Sequence, residues 1–199
     1  MLEGIKMEVQ ENLKDIIIRS EKLIKELRSD TQCLLCELED IKKGFYKIQS
    51  AASTFYLRAY LSNYIEDFDA LATAINHLAQ TRHGALIVVQ RHNEIASHIH
   101  RGITVNAELS SSLIESIFYP GNPLHDGAVL IKESMILSAA NVLPLSSINA
   151  GESKLGTRHR AAIGLSERTD ALILVVSEET GKLSFAKDGS LYPISTNNL

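Results

Sequence analysis

Apolar residues recur at steps of three and four through the first 65 residues of the chain, a stretch that contains no proline. This spacing is typical of amphipathic α-helices. One apolar stripe runs over residues 5–27 and a second over residues 34–55. Between them, at residues 29–32, a serine and a glutamine have the spacing of a capping box. The pattern therefore predicts an N-terminal α-helical hairpin.

The pattern changes after residue 65, where short runs of Val, Ile and Leu alternate with turn residues. The alternation predicts an α/β domain with a mixed β-sheet flanked by helices. We expect an N-terminal helical regulatory or oligomerisation region over 1–65 and the α/β domain over 66–199. Strands are predicted at 85–89, 94–99, 128–131, 135–142, 172–176 and 182–186, and helices at 71–79, 108–118 and 158–168.

Composition narrows the possible partners. With 199 residues, of which 45% are hydrophobic and 22% charged, the chain can bury one core. The net charge of −4 argues against a general nucleic-acid binder, whose surface carries a basic face. No segment approaches the roughly 20 uninterrupted apolar residues of a membrane span, and the N-terminus lacks the layout of a signal peptide. We expect a cytoplasmic protein with no nucleic-acid partner and no membrane partner.

Cys33 and Cys36 are the only cysteines, which excludes a secreted scaffold held together by several disulfides. A structural zinc site needs four ligands, and the sequence has no second cysteine pair. We therefore interpret both residues as small apolar residues on a helix.

Two short segments carry most of the candidate chemistry. In the first, His125 and Asp126 interrupt an apolar strand at Gly127, where a ligand can approach the backbone. In the second, a Gly-Thr turn precedes Arg158, His159 and Arg160. We take Gly156 and Thr157 as the turn and the N-cap, which places the cationic triplet in the first turn of a helix. Free N–H groups and the helix dipole favour an anion there.

In order and spacing, these segments resemble the diadenylate cyclase family, whose signatures are an Asp-Gly-Ala motif and an Arg-His-Arg motif. The resemblance covers roughly residues 71–191. It extends to Gly84-Ala-Leu-Ile-Val-Val, Asn106-Ala-Glu-Leu-Ser, Val142-Leu-Pro-Leu-Ser and Val176-Ser-Glu-Glu-Thr-Gly. It implies the same mixed α/β fold and an enzyme that condenses two ATP molecules into cyclic di-AMP, with release of two pyrophosphates. Because each domain holds one nucleotide, two catalytic domains must face each other.

The resemblance also implies roles for individual residues. We expect Asp126 to contact the attacking ribose hydroxyl, directly or through Mg²⁺ or Mn²⁺, and His125 and Asp126 to be metal ligands. The phosphate-binding motif corresponds to Thr157, Arg158, His159 and Arg160. The remaining substrate-binding candidates are Gly127 and Ala128 beside the carboxylate, Ser177 and Glu178 after a strand, and Leu143 and Leu145 against the adenine.

Several of these residues could instead have purely structural roles. The arginines can instead pair with nearby carboxylates, His159 can be a hydrogen-bonded structural residue, and the two leucines can simply belong to the core. There is no Walker loop, Rossmann glycine run or serine-hydrolase elbow. The alternative function is a catalytically silent nucleotide-binding sensor of the same fold, which should have lost Asp126 or an arginine. Neither has been lost.

The N-terminal part resembles that of the soluble, sporulation-type class of the family, which carries a two-helix extension. That class suggests that the extension inhibits the enzyme. We expect a homo-oligomer that is larger than the catalytic dimer and assembles through these helices, although a plain packing arm is equally open.

Overall fold

The computed structural model of the chain describes residues 2–26, 34–147 and 155–195. Helices α1 (Leu2–Glu26) and α2 (Leu34–Leu61) pack against each other, which confirms the predicted N-terminal hairpin. The predicted break at residues 29–32 lies outside the described residues. After a short connection, Asp67 caps the next helix by accepting a hydrogen bond from the Ala70 N–H at 2.9 Å.

The remaining elements form one mixed sheet with helices on both faces, as the sequence predicts. The strand order is β2-β4-β3-β1-β5-β6-β7. Strands β1 and β3 are parallel, and the other neighbouring pairs are antiparallel. The bounds are α3 (Phe68–Thr81), β1 (Ala85–Val89), β2 (Ile103–Glu108), α4 (Ser111–Ile117), β3 (Ala128–Lys132), β4 (Met135–Asn141), α5 (Thr157–Ser166), β5 (Leu172–Val176), β6 (Leu183–Lys187) and β7 (Ser190–Ile194).

Two apolar clusters cover the two faces of the sheet, since successive side chains of a strand point to opposite faces. Helices α3 and α4 pack on one face, and α5 packs on the other. The end of α2 also joins the first cluster, where Leu57 and Leu61 are fully buried. Burial of such a side chain contributes roughly 1.5–3 kcal/mol. The last turns of α2 are thus part of the core that supports the sheet.

Three local predictions are wrong. Residues 94–99 form turns and not a strand, because only Ile95 is buried there and Asp170 holds the preceding backbone by accepting from two N–H groups. Strands β2 and β7 were not predicted. Both are edge strands with partly exposed residues, and β7 contains a proline, which edge strands tolerate.

The interpretation of Cys36 as a small apolar helix residue is also wrong, because Cys36 is disulfide-bonded at the start of α2. A pattern of apolar positions does not reveal a disulfide. Cys33 lies outside the described residues.

None of the helices in the described ranges is long and apolar enough to cross a membrane.

Candidate active site

The strand register brings the candidate residues to one edge of the sheet, the edge formed by strand ends and not by an edge strand. Strands β1 and β3 begin at this edge, and β4 and β5 end there, because Ala85 lies opposite Val176 and Ala128 opposite Asn141. The two sequence motifs follow from this edge: one precedes β3, and the other starts the helix that packs beside β5. With strands about 4.8 Å apart, the start of β3 and the end of β5 are separated by roughly 10 Å. One nucleotide can span that separation.

The first motif is a turn that leads into β3. Asp126 is exposed, and Ala128 is buried as the first residue of the strand. Gly127 has φ +129°, a region that favours glycine. A Cβ atom there would lie 2.7 Å from the carbonyl carbon of Ala140. A glycine is therefore required because β4 approaches closely, whether or not a ligand also approaches the backbone here.

His125 is held by one nitrogen of its ring. Its Nδ1 lies within hydrogen-bond distance of the Asn122 carbonyl oxygen, which can only accept. Nδ1 is therefore the donor in this bond, and Nε2 is the ring nitrogen that remains available to a ligand. A second hydrogen bond, from the His125 N–H to the same carbonyl at 3.1 Å, fixes the backbone. A histidine ring with one nitrogen anchored by a backbone carbonyl is the usual arrangement of a metal-binding histidine.

The second motif forms the start of α5, with one correction. Gly156 is the N-cap, and Thr157 is the first helical residue, so the prediction of Thr157 as the cap is wrong. Glycine at this position has no side chain to accept from the first-turn N–H groups, and the first turn contains no acidic residue. Arg158 and His159 still lie in the first turn, next to the positive end of the helix dipole.

Arg158 forms an ion pair with Glu178, at 2.8 Å between Nη1 and Oε2. The side chain of the arginine is 26% exposed and that of the glutamate 67% exposed. The pair packs on Gly84, where a Cβ atom would lie 2.5 Å from Arg158 Nη1. Arg158 and Glu178, both predicted site residues, thus contact each other. This is the pairing of an arginine with a carboxylate that was the alternative to phosphate binding. Gly84 was not among the predicted site residues; its signals in the sequence are a glycine just before a buried strand and its place in a segment that resembles the family.

Arg160 and the segment after β4 are joined by hydrogen bonds along α5. The guanidinium of Arg160 donates to the Ser146 carbonyl at 3.3 Å, and the Ser146 N–H donates to the Arg160 carbonyl at 3.0 Å. In this segment Leu143 is 6% exposed and packs in the core cluster beneath α5, whereas Leu145 is 46% exposed. Leu145 is therefore the leucine that can meet a ligand.

A cleft of about 610 Å³ lies between the start of α5 and the end of β5. Thr157, Arg158, His159, Ser177 and Glu178 line it. The Ser177 hydroxyl accepts from the Thr180 N–H at 3.3 Å, so it also shapes the turn. The two leucines and the Asp126 turn are not part of the cleft lining. The Asp126 turn lies farther along the same edge, where β3 begins and β4 ends.

The pKa of His159 is lowered from its ordinary value of 6.5, mainly by burial and further by the nearby charge of Arg158, while Glu179 opposes the shift. His159 is therefore neutral at neutral pH. Glu179 was not among the predicted residues, and it lines the same cleft.

This shift predicts a pH-dependent loss of stability. The folded state binds a proton on His159 less readily than the unfolded state, so stability falls as pH drops below 6.5 toward the lowered pKa. We expect His159→Gln to remove this contribution. Urea unfolding at pH 7.5 and pH 5.5 should show the parent losing more stability than the variant. An equal loss in the two proteins would contradict the shift.

Comparison with known proteins identifies relatives of both parts of the chain. A family described as DisA bacterial checkpoint controller nucleotide-binding matches residues 72–191. A second, described as the N-terminal part of diadenylate cyclase CdaS, matches residues 2–64.

Two curated relatives match nearly the whole chain. The diadenylate cyclase CdaS of Bacillus thuringiensis is 52% identical over 96% of this chain and 98% of its own length. The cyclic di-AMP synthase CdaS of Bacillus subtilis is 52% identical over 96% of this chain and 92% of its own length.

Two solved structures share the fold. A crystal structure of a hypothetical membrane spanning protein from Bacillus cereus is 50% identical, with a TM-score of 0.76, and covers 97% of this chain and 95% of its own. DacA from Staphylococcus aureus, a double mutant, is 42% identical, with a TM-score of 0.62, and covers 65% of this chain and 87% of its own.

Proposed function

This chain belongs to the diadenylate cyclase family and makes cyclic di-AMP from ATP, and we propose that it does so where two catalytic domains face each other. Each 3′-hydroxyl attacks the α-phosphorus of the other nucleotide, and two pyrophosphates leave. The observation that carries this proposal is the edge of the sheet, where the Asp126 turn before β3 and the end of β5, beside which α5 starts, lie about two strand spacings apart. An edge open to solvent can meet the same edge of a second domain.

In this proposal Asp126 acts on the attacking hydroxyl. Its carboxylate is exposed at the edge, so it can reach a ribose that belongs to either nucleotide. A carboxylate that accepts a hydrogen bond from the 3′-hydroxyl increases the nucleophilicity of that oxygen. Phosphoryl transfer leaves the protein little covalent chemistry, so orientation and charge neutralisation account for most of the rate.

The triphosphate is assigned to the start of α5. Arg158 and Arg160 supply cationic donors, Thr157 supplies a hydroxyl, and the first-turn N–H groups have no side-chain cap. The Arg158–Glu178 pair must then open or share the guanidinium with phosphate. Glu178 is well exposed, and an ion pair that is open to solvent contributes little stability, so separating Glu178 from Arg158 costs little free energy. Leu145 and the turn that contains Ser177 would border the base and the ribose.

Nucleotidyl transfer typically uses a divalent cation, and we propose Mg²⁺ or Mn²⁺ held by His125 and Asp126. The fit rests on the Nε2 of His125, which the anchored Nδ1 leaves available, and on the exposed carboxylate beside it. Within the described ranges, no three His, Cys, Asp or Glu residues form a cluster that could hold a metal ion. Substrate phosphates would complete the coordination, as is usual for Mg²⁺. A bound cation would offset the charge that develops on the leaving pyrophosphate.

The test is direct. Purified protein incubated with ATP and either Mg²⁺ or Mn²⁺ should yield a product with the mass of cyclic di-AMP, and two pyrophosphates for each product. ATP binding without product under both metals, in a folded protein and over a range of concentrations, would instead indicate the silent sensor. We also propose that the enzyme works in the cytoplasm, where ATP is available.

We further propose that α1 and α2 assemble the chain into a homo-oligomer larger than a dimer and hold the catalytic edges apart. Large apolar side chains remain exposed along both helices, including Ile18 at 63%, Ile24 at 67%, Leu35 at 76% and Phe45 at 53%. A solvated face would not carry such residues, whereas an interface between copies would. Assembly and inhibition would then have one structural cause.

Removing most of this region should therefore raise specific activity. The deletion should end near residue 48, because a deletion to residue 65 would also remove Leu57 and Leu61 from the core. If the face-to-face state is rare, a gain of about 1.4 kcal/mol in its favour raises turnover roughly tenfold. Activity per folded domain should be measured together with mass by light scattering.

Two substitutions in the full chain provide the control. Leu38→Gln, at an exposed apolar position of α2, should loosen the assembly and raise activity in the same direction. Lys42→Gln, on the same helix with a 78% exposed side chain, should change neither. A folded truncation with equal or lower activity at every concentration would leave the helices as an assembly element only.

A further inference from the structure

The side chain of Asn141 fills a buried polar site next to the Asp126 turn. Asn141 ends β4 and is only 1% exposed. Its Nδ2 donates to the Ala128 carbonyl at 2.7 Å, and its Oδ1 accepts from the Gly102 N–H at 3.0 Å and from the Ser138 hydroxyl at 2.9 Å. A carbonyl only accepts and a backbone N–H only donates, so these partners fix the orientation of the amide.

The backbone around Asn141 explains why a side chain is needed here. Ala140 has φ +55°, and the register of β3 against β4 shifts between Ala128 and Leu130. The end of β4 is therefore irregular, and the regular ladder of backbone hydrogen bonds is interrupted where β3 begins. The Asn141 amide supplies a bond to the first carbonyl of β3 at this point.

The same part of β4 also confines Gly127 from the other side of the turn. A Cβ atom on Gly127 would lie 2.8 Å from the Asn141 carbonyl oxygen and 2.9 Å from the Ala140 Cα. Gly127 is thus held by contact, and Ala128 by a hydrogen bond. The direction of the preceding Asp126 carboxylate depends on these two backbone positions.

We infer that Asn141 is a positioning residue that sets the direction of the Asp126 carboxylate for the attack on the α-phosphorus. It is buried and cannot touch ATP, so it acts only through the turn. This inference rests on the role proposed for Asp126. The phosphate contacts at the start of α5 do not depend on this amide, so nucleotide binding should be preserved when it is replaced.

Asn141→Asp tests the inference, because it keeps the shape and the acceptor atoms but removes the donor to Ala128. A displacement of about 1 Å at a reacting group can reduce the rate by about 100-fold, so we expect kcat to fall at least tenfold. KM and the Kd for ATP should stay within about twofold, since an interaction lost only in the transition state lowers kcat alone. If Asn141→Asp does not fold, Asn141→Ala, which adds no charge, provides the same measurement.

Ser138→Ala is the matched control. It removes one bond to Asn141 Oδ1 in the same buried network but leaves the bond to Ala128. We expect a smaller loss of thermal stability than in Asn141→Asp, because no charge is buried, and kcat within about twofold of the parent. Equal losses of kcat in both variants, or a parental kcat per folded protein in the Asn141 variants, would overturn the inference. If Asp126→Asn keeps the parental rate, the proposed role of Asp126 fails instead.

Discussion

Replacement of Asp126 by Asn should abolish the formation of cyclic di-AMP while ATP still binds. The amide keeps the size of the side chain but has no negative charge, so it cannot act as the base that polarises the ribose hydroxyl. Positioned acid or base groups contribute about 100- to 10,000-fold to rate, so kcat should fall by at least about 100-fold. Asp126 is exposed and outside both apolar clusters, so folding should be unaffected.

The measurement combines product mass with a calorimetric titration of ATP in the presence of the metal. Glu94→Gln is a suitable control, because this carboxylate is 73% exposed and pairs with Lys132 at the opposite edge of the sheet. The control should keep the parental rate. Turnover by Asp126→Asn at the parental rate would show that this carboxylate has another role.

Arg158→Ala and Arg160→Ala should each weaken ATP binding itself. A charge-assisted hydrogen bond is worth roughly 1.5–3 kcal/mol, which corresponds to a loss of affinity of about 10- to 150-fold. In Arg158→Ala the loss has a second source, because Glu178 then stands unpaired in the cleft and repels phosphate. We therefore expect the larger effect at Arg158. The Kd for ATP should be measured for both variants at one fixed ionic strength, since salt screens these contacts.

The double variant Arg158→Ala, Glu178→Gln separates the two sources. It should recover the part of the affinity that repulsion removes, but not the part that the arginine contact supplies. Unchanged affinity in both single variants would assign the arginines to structure, with Arg158 serving the pair with Glu178. That outcome corresponds to the carboxylate pairing that the sequence left open.

The two motifs of the candidate site stand out in the sequence because their residues break a local pattern, whereas Ser177, Glu178, Leu143 and Leu145 were proposed only from the family resemblance. Asp126 and Arg158 are charged residues beside glycines and next to buried elements, and a soluble core tolerates such residues only at its edges. The central strands could be predicted for the same reason, since buried runs such as β1 and β5 are distinct in the sequence. Edge strands carry no such signal, which is why β2 and β7 were missed.

Other features depend on contacts between distant residues, which a sequence pattern does not encode. The Arg158–Glu178 pair needs the register of β1 and β5, and Gly84 is explained only by that pair. In the sequence, Asn141 is only a polar residue at the end of a strand. Its role depends on three hydrogen-bond partners that the fold brings around it. The end of α2 has the same amphipathic spacing as the rest of the helix, although Leu57 and Leu61 pack in the core cluster that supports the sheet.

The shared core at the end of α2 determines how a foreign control segment can be attached to this enzyme. A fusion near residue 50 keeps Leu57 and Leu61 in place and continues the helix without a flexible joint. Each residue inserted there rotates the incoming segment by about 100° and advances it by 1.5 Å. Helical phase thereby becomes an adjustable variable. A short series of insertions would rotate a fused ligand-binding module around the catalytic edge and reveal which orientations let two such edges meet.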